Sequence, residues 1–113
     1  MNIENTKAQM RKGVLELCIL ALLQREDAYA SDIIEHLKTA KMIVVEGTLY
    51  PLLTRLKNAD LLSYRWEESK SGPPRKYYSL TDKGDTVLTE LHTTWNDLVQ
   101  AVDKTTKKPN SNE

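Results

Sequence analysis

Leu62-Ser63-Tyr64-Arg65-Trp66-Glu67, then Glu68-Ser69-Lys70-Ser71-Gly72-Pro73-Pro74, then Arg75-Lys76-Tyr77-Tyr78-Ser79-Leu80, is the stretch on which the fold turns. Leu62, Tyr64 and Trp66 alternate with Ser63, Arg65 and Glu67, the period-two pattern of a half-buried strand. Residues 67–74 have the composition of a turn, and residues 75–80 read as a second strand. Two strands around one loop make an antiparallel hairpin. Tyr77 and Tyr78 then fall on opposite faces; Tyr78, in register with Leu80, is expected in the core and Tyr77 nearer solvent.

Upstream of the hairpin the period is helical throughout. Residues 6–25 read as a first helix, apolar nearly all round from Val14 to Leu23 except at Glu16, and therefore buried on more than one side. A second helix is expected from about Tyr29 to Ala40, with Tyr29, Ile33, Ile34 and Leu37 inward. Met42-Ile43-Val44-Val45 is long enough only for an extended connector. Glu46-Gly47-Thr48 opens a third helix to about Asn58, with Leu49, Leu52, Leu53 and Leu56 as its inner stripe. Pro51 is tolerated there if it falls in the first turn, where its missing N–H has no partner to lose.

Downstream, Thr81 reads as an N-cap, with Asp82 and Asp85 at the positive end of a helix dipole. This last helix runs to about Lys104. Its Val87/Leu88, Leu91, Trp95, Leu98/Val99 and Val102 repeat close to a coiled-coil seam. Three helices, a hairpin and a further helix give a mainly α fold with a small β-hairpin: a winged helix-turn-helix plus a C-terminal dimerisation helix. The expected division is residues 1–80 for the winged unit, 81–104 for the dimerisation helix and 105–113 for a flexible tail.

The chain has 113 residues and 12.9 kDa, the size of one hydrophobic core. The single Cys18 excludes an internal disulfide and, among apolar neighbours, reads as a small hydrophobe in a reducing compartment. No apolar run approaches the roughly 20 residues a bilayer needs, and Met1 to Lys12 is too polar for a signal peptide. A cytoplasmic protein without membrane attachment is expected. His36 and His92 have no second ligand at metal spacing, and no phosphate-binding glycine loop or catalytic triad can be assembled. No enzyme, cofactor or metal is expected.

Sixteen basic and sixteen acidic residues cancel, which at first argues against a polyanionic partner. By segment the balance differs. Residues 48–80 carry Arg55, Lys57, Arg65, Lys70, Arg75 and Lys76 against Asp60, Glu67 and Glu68, whereas residues 81–103 carry Lys83 against five acids. A neutral total limits indiscriminate sticking and leaves room for a basic face.

Gly47-Thr48-Leu49-Tyr50-Pro51-Leu52-Leu53-Thr54-Arg55-Leu56, then Leu61-Leu62, then Gly72-Pro73-Pro74-Arg75-Lys76-Tyr77-Tyr78-Ser79-Leu80-Thr81 with Gly84, closely resembles the PadR family of bacterial transcriptional regulators. The resemblance spans residues 10–102 and looks like the branch with a short C-terminal region. It implies a homodimer, joined through the N- and C-terminal helices, that binds a pseudopalindromic double-stranded DNA operator as a repressor, often released by a small effector. Two positions depart from the family pattern. Asp60 replaces a common glycine where left-handed backbone is required, which Asp tolerates less well. Ala30-Ser31 replaces a Gly-Tyr pair.

On this reading Thr48, Tyr50, Pro51, Thr54 and Arg55 lie on the recognition helix, and Lys70, Arg75 and Lys76 on the wing. Helix residues reach base edges and the wing cations reach phosphates or the minor groove. Plainer roles stand beside these: Tyr50 packing on the wing, Arg55 paired with Asp60 or a glutamate, Lys76 merely solvated. Trp95 reads as a knob of the dimer seam. By resemblance it also stacks on a flat aromatic effector, with Leu91, Val99 and Cys18 as apolar lining. The competing class is a winged-helix module for protein–protein contact, without DNA.

Overall fold

A computed structural model describes residues 1–109. The order is α1 (Ile3–Arg25), β1 (Ala28–Tyr29), α2 (Ala30–Thr39), α3 (Glu46–Asn58), β2 (Leu62–Ser69), β3 (Gly72–Leu80) and α4 (Asp82–Thr106). The helices are those expected from the apolar periods, and the strands form one antiparallel sheet in the order β1-β3-β2.

The core lies where α1, α2 and α3 converge. Ile19 and Leu20, Ile33, and Leu49 and Leu53 are fully buried there; Leu62 and Tyr78 close it from the sheet and Leu88 from α4. Deleting one such side chain costs about 2–5 kcal/mol. Both helices of the helix-turn-helix end in the same way. Met42 N–H donates to Leu37 O and Lys41 N–H to Lys38 O; Leu61 N–H donates to Leu56 O and Asp60 N–H to Lys57 O. These are paired Schellman closures, which require left-handed backbone at the residue after the cap. Lys41 and Asp60 take it, with φ of 64° and 63°.

Several boundaries differ from the sequence expectation. α1 starts at Ile3 rather than residue 6, because the Asn2 side chain caps the Asn5 N–H at 3.2 Å. Tyr29 lies outside α2: it pairs with Tyr77 in a strand too short to have a visible period, and its N–H donates to the Asp32 carboxylate. The hairpin strands run further than composition implies, and the two prolines stand in β3 rather than in a loop. The pairing shifts between Glu67 and Ser69, and this irregularity lets the ladder pass residues with no N–H to donate. Pro51 is in the second turn of α3, so it withholds the bond due to the Gly47 carbonyl; both residues are exposed, and that carbonyl faces solvent. Trp66 is 61% exposed, because the hairpin has left the body by that point and no core lies beneath it.

α4 begins as expected, with Thr81 Oγ1 accepting the Gly84 N–H at 2.9 Å. Its start is pressed against the sheet. A Cβ on Gly84 would lie 2.1 Å from the Leu61 carbonyl oxygen. The helix then leaves the body, leaving Trp95, Leu98, Val99 and Val102 exposed. The longest dimension is accordingly 64 Å against 33 and 22 Å for the others. α4 takes in residues 105 and 106 of the expected tail; of the rest, residues 110–113 lie outside the described residues. None of the described helices is long and apolar enough to cross a membrane.

Candidate nucleic-acid interface

At 100° per residue, the buried leucines of α3 occupy one side and Gly47, Pro51, Thr54 and Asn58 form the ridge opposite. Tyr50 and Lys57 flank the ridge toward the hairpin, and Thr48 and Arg55 flank it toward α1. The ridge side chains are small and exposed. Such a ridge can enter a groove without burying charge. No side chain caps the start of α3, so its first N–H groups are also free of side-chain acceptors.

The hairpin stands beside this ridge, and a groove of about 350 Å³ separates them. Tyr50 and Thr54 form one wall, Trp66, Arg75 and Lys76 the other, and Tyr29 and Ser31 close the end. The register explains how the wall is made. Tyr64↔Tyr78 and Trp66↔Lys76 share one face of the sheet, and Arg65↔Tyr77 and Tyr29↔Tyr77 share the other. On the first face the Lys76 ammonium lies 4.6 Å from the Tyr64 ring and 5.5 Å from the Trp66 ring, with Lys57 on Tyr64 at 5.9 Å. On the second face Arg65 lies 4.4 Å from the Tyr77 ring, Tyr77 packs on Tyr29 at 4.7 Å, and Arg75 lies 4.0 Å from Tyr29. Arg75 also donates to Ser31 Oγ at 2.5 Å. Each stack immobilises a cation by contact with a ring face, a modest attraction at exposed sites of about 0.5–1 kcal/mol.

Hydrogen bonds to Asp27 at 3.0 Å and to Glu67 at 2.8 Å raise the Arg65 pKa and keep that side chain committed to structure. Burial, then Tyr50 and Tyr64, raises the pKa of Tyr78, so that phenol stays neutral beneath the groove. Tyr78 is buried and Tyr77 half-buried, the order expected from the strand register.

Of the DNA-facing candidates, Tyr50, Thr54, Arg75 and Lys76 come together at the groove. Pro51 crowns the ridge, and Lys70 stands exposed near the hairpin tip. Thr48 faces the other way, beside Arg11 and Lys12 of α1. Arg55 forms an ion pair with Glu16 of α1, the glutamate pairing that its sequence context left open. Sequence reasoning overlooked Tyr29, Ser31, Lys57 and Trp66. Of these only Lys57 carried a signal, as a cation beside the ridge; the others depend on the short β1 pairing and on how far the hairpin extends.

The residues considered for an effector divide. Leu91 and Trp95 line a second pocket, of about 320 Å³, with Val14, Leu17 and Leu56. Cys18 and Val99 are not among its lining residues: Cys18 is half-buried against the core and Val99 lies further along the exposed part of α4. Burial raises the Cys18 pKa, which keeps the thiol protonated.

Comparison with known proteins points in one direction. The profile of the transcriptional regulator PadR-like family matches residues 19–90. A PadR-like transcription factor from Bacteroides fragilis is 65% identical, the match covering 88% of this chain and 97% of that one with a TM-score of 0.75. A PadR family transcriptional regulator from Eggerthella lenta is 34% identical, covering 95% and 94% with a TM-score of 0.87. A PadR-like transcriptional regulator from Bacillus cereus is 36% identical, covering 89% and 99% with a TM-score of 0.76.

Proposed function

The chain belongs to the PadR-like family of transcriptional regulators, non-enzymatic DNA-binding proteins that typically dimerise, and from that premise we propose that it is an effector-responsive repressor. It acts as a homodimer on a pseudopalindromic operator. Residues 1–80 form the reading unit, residues 81–104 the dimerisation helix, and the remainder a tail.

The observation that carries this reading is the groove between α3 and the hairpin, walled by aromatic rings and by cations from the hairpin. Pro51 and Thr54 on the ridge, with Tyr50 and Thr48 beside it, enter the major groove and meet base edges. Arg55, once free of Glu16, reaches a phosphate or a guanine. Lys70, Arg75 and Lys76 hold the backbone or minor groove alongside. Base contacts discriminate and phosphate contacts position. The exposed Trp95, Leu98, Val99 and Val102 stripe supports dimerisation, since a monomer gains nothing from leaving it in water. A planar effector stacks on Trp95 against Leu91, two residues that line one pocket. The protein works in the cytoplasm.

Footprinting on the DNA upstream of the chain's own gene tests the reading. Two protected half-sites about one helical turn apart, roughly 34–36 Å, are expected for a two-fold dimer. Affinity falls linearly in log salt as counterions return to the phosphates. A dimer without salt-sensitive duplex affinity would instead be a protein–protein module.

A further inference from the structure

We propose that Arg11 and Lys12 of α1 form a second phosphate-binding edge, which grips the DNA strand on the side of the recognition ridge away from the hairpin. The inference rests on the DNA-binding reading and extends it to two residues that it leaves without a role. Arg11 and Lys12 line a cleft of about 280 Å³ between α1 and the start of α3, together with Thr48, Ile43 and Val45. Leu15 and Val44, both buried, form its floor.

The charge of this edge is uncompensated. Of the other ionised side chains in residues 1–24, Lys7 pairs with Glu4 at 3.5 Å, and Glu16 pairs with Arg55. Arg11 and Lys12 have no carboxylate partner among the described residues. Glu46 opens α3 two residues before Thr48, so it lies about 200° around the helix, on the hairpin flank. Two unspent cations on one edge suit a polymer with a negative charge every 1.7 Å or so of its axis. The apolar rim fits the same partner. Ile43 and Val45 are 69% and 65% exposed, and in water that exposure gains nothing. Against a nucleic-acid backbone they meet the C–H faces of the sugars between the phosphates.

Two landmarks fix how α1 lies. Arg11 and Lys12 stand by the Thr48 end of α3, and Glu16 meets Arg55 about two turns further on. α1 therefore runs alongside one flank of α3, while the hairpin lines the other. A ridge inserted in a major groove about 12 Å wide has a sugar–phosphate strand on each side. Arg75 and Lys76 face one of these strands, and Arg11 and Lys12 face the other. The α1 positions turned toward α4, Gly13, Val14 and Leu17, occupy the opposite side of that helix. A dimer built through that side leaves the cleft open.

The test uses the full chain and the fluorescence anisotropy of a labelled duplex of arbitrary sequence, from about 50 to about 200 mM salt. Arg11→Gln with Lys12→Gln is expected to flatten the slope of log K against log salt by about 1.8 for each winged unit engaged, at about 0.9 per phosphate. Over that fourfold range the variant loses about twelvefold less affinity per unit than the parent. Arg11→Lys with Lys12→Arg keeps both charges and so keeps the parent slope. Lys83→Gln with Lys104→Gln removes as much charge from α4 and also leaves the slope in place. Lys70→Gln on the hairpin flattens it by about 0.9, and joined to the α1 pair gives about 2.7, because the two sets hold different strands. Lys12→Gln alone, at an exposed position, carries the test at about 0.9 if the double variant melts early. A parent slope that survives loss of Arg11 and Lys12, an equal flattening by the α4 pair, or a combined effect smaller than the sum overturns the proposal. In each of those results the parent still binds duplex in a salt-dependent way, and the DNA-binding reading stands. A parent chain with no salt-sensitive duplex affinity removes both.

Discussion

Replacing Gly84 by alanine places a methyl group where two backbones already touch. Helix propensity alone favours the change: alanine is better than glycine in a helix by about 1 kcal/mol. The structure predicts the opposite outcome. The new Cβ would sit 2.1 Å from the Leu61 carbonyl oxygen and 2.7 Å from Leu80 Cδ1. Leu80 can rotate away, but the Leu61 carbonyl is backbone and accepts the Thr81 N–H at 3.1 Å. Relief therefore means moving the first turn of α4 by close to an ångström. That movement strains three bonds at once: Thr81 N–H to Leu61, Gly84 N–H to Thr81 Oγ1 at 2.9 Å, and Thr81 O–H to the Asp60 carbonyl at 2.7 Å. Overpacking costs about 1–3 kcal/mol and a lost N-cap about 1 kcal/mol, so a net loss of about 1–3 kcal/mol remains after the propensity gain. For a chain of this size that is a fall in Tm of roughly 4–15 °C. Thermal circular dichroism at fixed protein concentration measures it, because association between copies of a chain makes Tm concentration-dependent. Gly13→Ala is the matched control: it is a helical glycine whose added Cβ would meet nothing within 4 Å, and it should gain about 0.5–1 kcal/mol. A Gly84→Ala chain that melts at or above the parent temperature would refute the reasoning, whatever the control does.

Asp60→Gly should stabilise the chain, since Asp60 holds φ of 63° in the closure of α3 and its side chain takes no part in that closure. Left-handed backbone costs a residue with a Cβ roughly 1–2 kcal/mol, partly offset by the greater freedom of unfolded glycine, so a gain of about 0.5–1 kcal/mol is expected in urea titration. An unchanged midpoint would mean that Asp60 adopts this backbone without strain. Cys18 should react with a thiol-specific disulfide reagent more slowly than free cysteine at pH 8, because burial raises its pKa and lowers the thiolate fraction. The sign for stability follows: the folded state holds the thiol proton more tightly, so this contribution is complete below the unfolded thiol pKa and fades as pH rises through the folded one. A folded chain that reacts as fast as the free amino acid contradicts the burial.

The helices and the hairpin were legible because each has a period that burial enforces. Leu49, Leu52, Leu53 and Leu56 can share one side only as a helix, and Leu62 with Tyr64 can share one side only as a strand. The left-handed backbone at Asp60 was legible from the family pattern, whereas Lys41, which adopts the same geometry, offered no comparable signal. β1 was hidden because two residues have no period. Trp66 misled because alternation reports which face a side chain joins and not whether a core lies under that face. The candidate interface was half visible: residue type marked Tyr50, Thr54, Arg75 and Lys76. Tyr29 and Ser31 enter through a chain reversal that brings the start of α2 to a strand nearly fifty residues later. Glu16, in the middle of an apolar run, looked like an interruption; its meaning depends on Arg55 lying across from it.

The stack of Arg65, Tyr77, Tyr29 and Arg75 joins the root of the hairpin to the first turn of α2. A wing attached only through its two chain ends would swing like a lever on a loose pivot, and the span between its tip and the recognition ridge would be a distribution. Here the pivot is braced by rings on one face while Tyr64 and Tyr78 brace it from the other. The two parts behave as the jaws of a caliper set before use. A duplex whose groove has a different width meets a fixed gap, and width itself becomes a quantity the protein can select by, at base pairs none of its side chains touch.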